Sequence, residues 1–319
     1  MNDPTTLQEA IGYFSDPDVC LDFLVNLRWP NGVVCPICAR TDARFIPTRR
    51  LWECKAKHIR KQFSVKVGTI FEDSPIGLDK WLAPMWMIAN CKNGVSSWEM
   101  HRTLGVTQKT AWFMLHRIRL AMQTRTFAKF GGEVEADETF IGGKARFMHK
   151  DRRASKIQGT GGKDKTPVMD LLERHGPDGH SRVKAKAVSN VRKRTLREEV
   201  DQHVEKGSEV FTDALASYNA LKDDYVHQVI NHAEAYAKGK VHTNGLENFW
   251  SLLKRAIKGS YVNVEPFHLF RYLDEESFRF NTRKVEDGDC FRSLVGHIVG
   301  RRVTYKQLIG AGLTAIATA

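Results

Sequence analysis

Cys35-Pro36-Ile37-Cys38 is followed, after 15 intervening residues, by Cys54-Lys55-Ala56-Lys57-His58. Two short-spaced ligand pairs can converge on one tetrahedral Zn²⁺, with thiolate and imidazole ligands about 2.0 to 2.3 Å from the metal. The runs FIPTRRLWEC and QFSVKVGTIF flank and separate the ligands, and their β-branched and aromatic residues predict short strands. Residues 31–75 are therefore expected to form a zinc ribbon with Cys35, Cys38, Cys54 and His58 as ligands. His58 stands one position beyond the usual second place of the pair, which Lys57 occupies. Four protein ligands leave no open position, so the zinc would be structural rather than catalytic. The alternative is a set of unrelated core thiols. Cys20, Cys91 and Cys290 read as ordinary buried thiols, because six cysteines are too sparse for a disulfide scaffold in a chain of 319 residues.

That length supports two or three domains. Forty-nine Lys and Arg against 37 Asp and Glu leave a net charge of +12, which favours an anionic partner such as nucleic acid, although a basic surface also serves solubility. The N-terminal residues have no signal-peptide pattern, and WLAPMWMIANC is too short to span a bilayer, so a soluble, cytoplasmic protein with no membrane partner is expected. Residues 1–30 form a helical lead-in that stops at Trp29-Pro30-Asn31-Gly32. Residues 76–127 predict three helices. The last two, around Gly105, have helix-turn-helix spacing and would place Gln108, Lys109 and Thr110 where base edges are read. Trp112, Leu115, Ile118 and Arg119 would continue the core and the phosphate-facing side, and any packed helix pair is the plainer reading. Residues 128–290 read as three strands followed by alternating helix and strand, with a hairpin at Pro177-Asp178-Gly179. Residues 291–319 are expected to be a weakly patterned C-terminal tail.

Within 128–290, Asp137 lies in VEADETFIGG between apolar strand residues, and Asp213 follows Val210 and Phe211 in EVFTDALASY. An ionised carboxylate near a core is costly unless paired or bound to a cation, so two strands carrying such acids suggest a cation site at one sheet edge. The helix HTNGLENFWSLLKR carries two stripes. Leu246, Phe249, Trp250, Leu253 and Ile257 make the apolar one, with Phe249 and Trp250 read as packing, and Asn244, Glu247, Ser251, Lys254 and Lys258 make the polar one. Asn244 and Glu247 alone would also suit a helix start.

Asp137, Asp213, Glu247 and Lys254, in this order, resemble the DDE transposases of bacterial insertion sequences. RWPNGVVCPIC, QFSVKVGTIFEDSPIGLDKW, NGVSSWEMHRTLGVTQKTAWFMLHRIR, ADETFIGGK, HTNGLENFWSLLKR and RYLDEESFRFN are similar to motifs of the zinc-ribbon, ISXO-like subgroup. The resemblance implies an α+β mixed fold whose 128–290 segment is an RNase H-like (retroviral integrase-type) DDE catalytic domain. It implies Mg²⁺ (or Mn²⁺) at Asp137, Asp213 and Glu247, with Asn244 sharing or replacing the role of Glu247, and Lys254 and Arg255 against DNA. It further implies cleavage at an element end, attack of the freed 3′-hydroxyl on target, double-stranded DNA as partner (transposon ends and target), a homo-oligomer on paired ends, and nucleoid association. A nuclease or resolvase of the same fold, and a non-catalytic DNA-binding regulator derived from a transposase, are the competing readings. The basic loop 144–165 and Arg271, Arg279 and Arg283 would follow the DNA backbone or only flank the core.

Overall fold

The computed structural model describes residues 4–123, 128–142, 149–156, 165–213, 215–230, 241–262 and 264–311. The chain divides into two compact units, residues 1–123 with 284–319, and residues 124–283.

In the first unit, α1 (Leu7–Tyr13) starts at a capping box in which the Thr6 hydroxyl accepts from the Glu9 N–H and Glu9 reaches back to the cap. Asp16 caps α2 (Pro17–Arg28), where Pro17 occupies a position whose N–H would be unsatisfied anyway. Three short antiparallel strands follow, β1 (Arg44–Ile46), β2 (Leu51–Glu53) and β3 (Gln62–Phe63). Trp52 and Phe63 are buried, stack at 6.1 Å between ring centroids and meet the edge of Trp29, so aromatic burial supports a sheet too short to stand alone. Then come α3 (Asp79–Asn90), α4 (Ser97–Leu104) and α5 (Gln108–Met122). A Ser96–Glu99 capping box starts α4, Gly105 ends it at φ +63°, and Thr107 caps α5. A left-handed residue there favours glycine, which is why the turn between the two helices falls where the sequence predicts it.

The second unit opens on β4 (Glu133–Gly142), the central strand. After α6 (Lys150–Lys156), β5 (Lys165–Glu173) pairs antiparallel with β4, and β6 (Arg182–Ala187) antiparallel with β5. The β5–β6 hairpin turns at Gly179, φ +78°, within the predicted Pro177-Asp178-Gly179. Following α7 (Lys193–His203), β7 (Glu209–Thr212) lies parallel to β4 on its other side, and β8 (Val226–Val229) parallel to β7. The order β6-β5-β4-β7-β8 is the five-stranded mixed sheet with helices expected for this region. Two further helices complete the unit, α8 (Asn244–Ala256), which runs on as a π-helical turn to Tyr261, and α9 (Leu269–Asn281).

Strand periodicity sorts the sheet into two faces. Val134, Ala136, Met169 and Leu171 pack with Leu196 and Val200 of α7 and with Tyr218. Ile141, Val168 and Leu172 pack with Leu246, Phe249 and Leu253 of α8 and with Leu273 and Phe280 of α9. Each fully buried Leu or Phe is worth roughly 1.5–3 kcal/mol, so three such anchors dock α8 far more firmly than exposed ion pairs could. Alternation along β4 then sends Glu135 and Asp137 toward the α8 side.

The chain returns to the first unit with α10 (Asp287–Gly296) and α11 (Tyr305–Leu308). Phe291 of α10 is buried among Phe14, Phe23 and Trp86, and the Arg301 guanidinium donates to the carbonyls of Ala121 (2.8 Å) and Gln123 (2.7 Å) at the end of α5. The segment read as a tail thus supplies a core aromatic, Phe291, and a helix cap. Arg119, expected to continue a phosphate-facing side, is 1% exposed and belongs to the interior of the first unit. Arg279 is likewise buried, paired with Glu275 and Glu276, and flanks the core. Of the basic loop 144–165, residues 144–148 and 157–164 lie outside the described residues, and α6 occupies part of the remainder. No described helix is long and apolar enough to cross a membrane.

Candidate active site and zinc cluster

Cys35, Cys38, Cys54 and His58 bring one ligand atom each to within 4.8 Å of one another. Cys35 Sγ lies 3.6 Å from His58 Nε2 and Cys38 Sγ 3.5 Å from Cys54 Sγ. Tetrahedral bonds of about 2.0–2.3 Å require ligand separations of about 3.5–3.8 Å, so three sulfurs and one imidazole nitrogen fit a structural zinc. Burial pushes the Cys35 thiol up, but the backbone N–H groups of Cys38 and Ile37 and the neighbouring thiols outweigh it and bring it down to about 6. The Ala56 N–H points at Cys54 Sγ (3.4 Å), a contact that stabilises the thiolate form a metal needs.

In the second unit, the parallel β4–β7 ladder ends with Glu135 beside Phe211, and Asp137 and Asp213 each follow that pair by two residues, near enough for the charge of one to act on the other. Asp137 is 7% exposed. Burial first, and then the charge of Asp213, push its carboxyl up to about 8, while the Glu138 N–H at 2.7 Å and the Thr243 side chain pull the other way. Asp213, half-buried just past β7, is held by the Leu215 N–H donating to its Oδ1 at 3.0 Å. Two neighbouring carboxylates just past the end of the parallel ladder present hard oxygen donors and mutual repulsion, the chemistry that a divalent cation relieves.

The third acid stands apart. Among the described residues the four ribbon ligands alone form a group of three or more metal-capable side chains that close, so Glu247 does not join Asp137 and Asp213 at that distance. Glu247 is exposed on α8, yet the residues one turn to either side of it are anchored. Thr243, four residues before, hydrogen-bonds Asp137, and the Trp250 indole N–H, three residues after, donates to Asp170 Oδ2 at 2.6 Å. Lys254 completes the stripe, half-buried, its Nζ 5.4 Å from the Trp250 ring centroid. Burial and Lys258 lower the Lys254 ammonium, and the charges of Asp170 and Asp137 oppose them. Asn244 lies one position round, exposed, its N–H toward His242 Nδ1 at 3.4 Å, and Arg255 is exposed on that same side.

Several residues of this region escaped the sequence reading. Glu135, 1% exposed, accepts from Arg174 Nε at 2.8 Å on one oxygen and from the Leu246 N–H at 3.0 Å on the other, so a carboxylate sits at the N-terminus of α8. Arg174 also donates to the His242 carbonyl (2.6 Å) and lies over the Phe211 ring, tying β4, β7 and the start of α8 together. On the opposite face Glu138, raised by burial, accepts from the Tyr218 hydroxyl at 2.7 Å. The only available signal was the alternation in VEADE, which places Glu135 and Asp137 on one face.

On α5, Gln108 donates to Ser97 Oγ at 2.9 Å and so braces α4, while Thr110 shares a 2.8 Å hydroxyl contact with the cap Thr107. Lys109 is exposed, its Nζ 4.6 Å from the Tyr305 ring centroid.

Residues 129–281 match the ISXO2-like transposase domain and residues 15–56 the transposase zinc-ribbon domain, a span that holds three of the four ribbon ligands and stops short of His58. A protein in transposable element ISH50 of Halobacterium salinarum is 28% identical over 244 residues, 73% of this chain and 81% of that protein. A transposase-like protein of Haemophilus influenzae is 32% identical over 100 residues, 31% of this chain and 80% of that protein. A chain of the simian T-cell lymphotropic virus intasome in complex with PP2A regulatory subunit B56 gamma aligns at a TM-score of 0.26 and 11% identity, over 59% of this chain and 66% of that one, too slight a likeness to bear on function. With both domains matched in order, and a ribbon cluster and mixed sheet where those domains fall, the chain belongs to the ISXO2-like transposase family.

Proposed function

We propose that this chain binds the ends of an insertion sequence and catalyses DNA cleavage and strand transfer by metal-dependent, in-line phosphoryl transfer. The observation that carries the reading is the nearness of Asp137 and Asp213 just past the end of the β4–β7 ladder, beside a helix that carries Glu247 and Lys254. Asp137 and Asp213 would hold Mg²⁺ (or Mn²⁺), with Glu247 as the further carboxylate. When bound, such ions polarise the scissile phosphate and lower the pKa of the attacking hydroxyl. Glu247 is favoured over Asn244 as the third group because it stands one turn after Thr243, which hydrogen-bonds Asp137, and one turn before Trp250, which hydrogen-bonds Asp170. Lys254 is suited to grip a phosphate oxygen, since its partly desolvated ammonium lies in the field of Asp137.

End recognition is assigned to the first unit. There Lys109 offers an exposed cation at the start of α5, and Gln108 and Thr110 hold that helix start in shape. Arg255, exposed on α8, would add a backbone contact near the reacting phosphate. A dimer or higher assembly on paired ends completes the proposal.

The test uses supercoiled plasmid carrying the genomic DNA that borders the gene on both sides. Wild type with Mg²⁺ is expected to nick at the element ends and join them to target. Asp137→Asn and Asp213→Asn are each expected to lose more than about 100-fold in nicking, beyond the loss typical of groups merely behind a metal ligand, while still binding the border DNA. Nicking without joining would support the nuclease reading, and undiminished nicking by both variants would remove these carboxylates from catalysis.

A further inference from the structure

Asp170 is an acid where packing alone would favour a hydrocarbon. It lies directly opposite Asp137 in the β4–β5 register, on the face that α8 covers, and its neighbours on that face, Val168 and Leu172, are core residues. It is 0% exposed, and its Oδ1 has no hydrogen-bond partner among the described residues. Burying such a group costs free energy that a valine would not. What the carboxyl gains is one directional contact, the 2.6 Å bond from the Trp250 indole N–H. Apolar contacts through Leu246, Phe249 and Leu253 press α8 onto the sheet but constrain its rotation about its own axis weakly, because dispersion is non-directional. A short hydrogen bond to a fixed strand position sets that rotation. Trp250 stands three residues after Glu247 and four before Lys254, and its ring lies against the Lys254 ammonium, so the same bond aims both side chains.

We propose that Asp170 and Trp250 form a positioning pair that fixes the azimuth of α8 and thereby aligns Glu247 and Lys254 with Asp137. Neither residue touches substrate, and the inference rests on the strand-transfer reading given above.

Full-length Trp250→Phe deletes the donor but keeps an aromatic ring, Asp170→Ala deletes the acceptor, and Asp170→Asn keeps an oxygen to receive the indole. Nicking of the border-DNA plasmid with Mg²⁺, binding of the same border DNA as a short duplex, and the thermal midpoint are measured on each. Because small misplacements of reacting groups are expensive, Trp250→Phe and Asp170→Ala should nick about tenfold or more slowly with duplex affinity within about twofold of wild type. Asp170→Asn should restore most of that rate. The pair is overturned if Trp250→Phe nicks at the wild-type rate, if Asp170→Asn is as slow as Asp170→Ala, or if rate, affinity and midpoint fall in parallel, the mark of a packing role. Asp137→Asn separates the two failures. If it is inactive while Trp250→Phe is normal, only the positioning pair fails, and if it also nicks normally, the strand-transfer reading fails and takes the pair with it.

Discussion

The buried acids near α8 differ in what surrounds them, and that difference predicts how each responds to pH. Burial raises the Asp170 carboxyl from its ordinary 3.8 to about 7, against the opposing pull of the Trp250 indole and the Lys254 charge. A raised acid binds its proton more tightly in the folded than in the unfolded chain, so its contribution to stability is complete below pH 3.8 and is lost as pH rises through 7. Asp170→Asn stays neutral throughout. In urea unfolding, the stability of wild type relative to Asp170→Asn should therefore decline by a few kcal/mol, in order of magnitude, between about pH 4 and pH 7, and level off above. A difference that is flat across that window would mean the carboxyl does not titrate in the fold. None of this was visible residue by residue in the sequence: PVMDLLE reads as an apolar strand with an acid at its middle and another at its end, and the significance of Asp170 depends on which residue the preceding strand places opposite.

Elements were legible to the extent that their chemistry repeats locally. The ribbon follows from ligand spacing, because a tetrahedral metal tolerates few alternatives, and the sheet and α8 follow from alternation and from the three- and four-residue stripe. The closing helices α10 and α11 were not legible, since one short helix and a single turn give too little period to separate from a tail, and their value lies in long-range contacts such as Phe291 on Phe14 and Trp86. Arg119 was misjudged for a related reason, as charge alone does not reveal which side of a helix is covered. Two predictions belong to elements. At the ribbon, His58→Cys should keep zinc while His58→Ala should lose it and unfold the module, because structural zinc supplies on the order of 10 kcal/mol of folding energy. Metal content with far-ultraviolet circular dichroism checks this, and undisturbed zinc in His58→Ala would remove His58 from the ligand set. At α8, a Cβ on Gly245 would stand 2.8 Å from Glu135 Oε2 and 3.0 Å from Leu172 Cδ2, so either these buried side chains or the helix start must shift to admit one. Gly245→Ala should cost about 1–3 kcal/mol of stability and slow nicking, measurable by denaturant melts and the plasmid assay, and parental values in both would show that the helix start yields freely.

For the whole molecule, the decisive quantity is a net charge of +12 spread over a chain whose proposed cutting and reading surfaces belong to different compact units. Phosphate contacts release counterions, so affinity for DNA should fall steeply with salt, with a slope of log K against log salt near −0.9 for each phosphate neutralised. The slope tells a phosphate contact from a base contact. If Lys109 grips the backbone, Lys109→Ala should weaken binding to border DNA and to unrelated DNA alike and flatten the slope by about one. If it reads a base edge, the slope should hold and the preference for border DNA should shrink. Asp137→Asn should leave both slope and preference untouched while abolishing nicking, because its carboxylate lies in the other unit and, on the proposed reading, would face a cation rather than the duplex. Electrophoretic shifts over a salt series, run with border and unrelated duplexes, separate these outcomes. A Lys109→Ala protein with unaltered affinity, slope and preference would place end recognition elsewhere, on the ribbon or on α8.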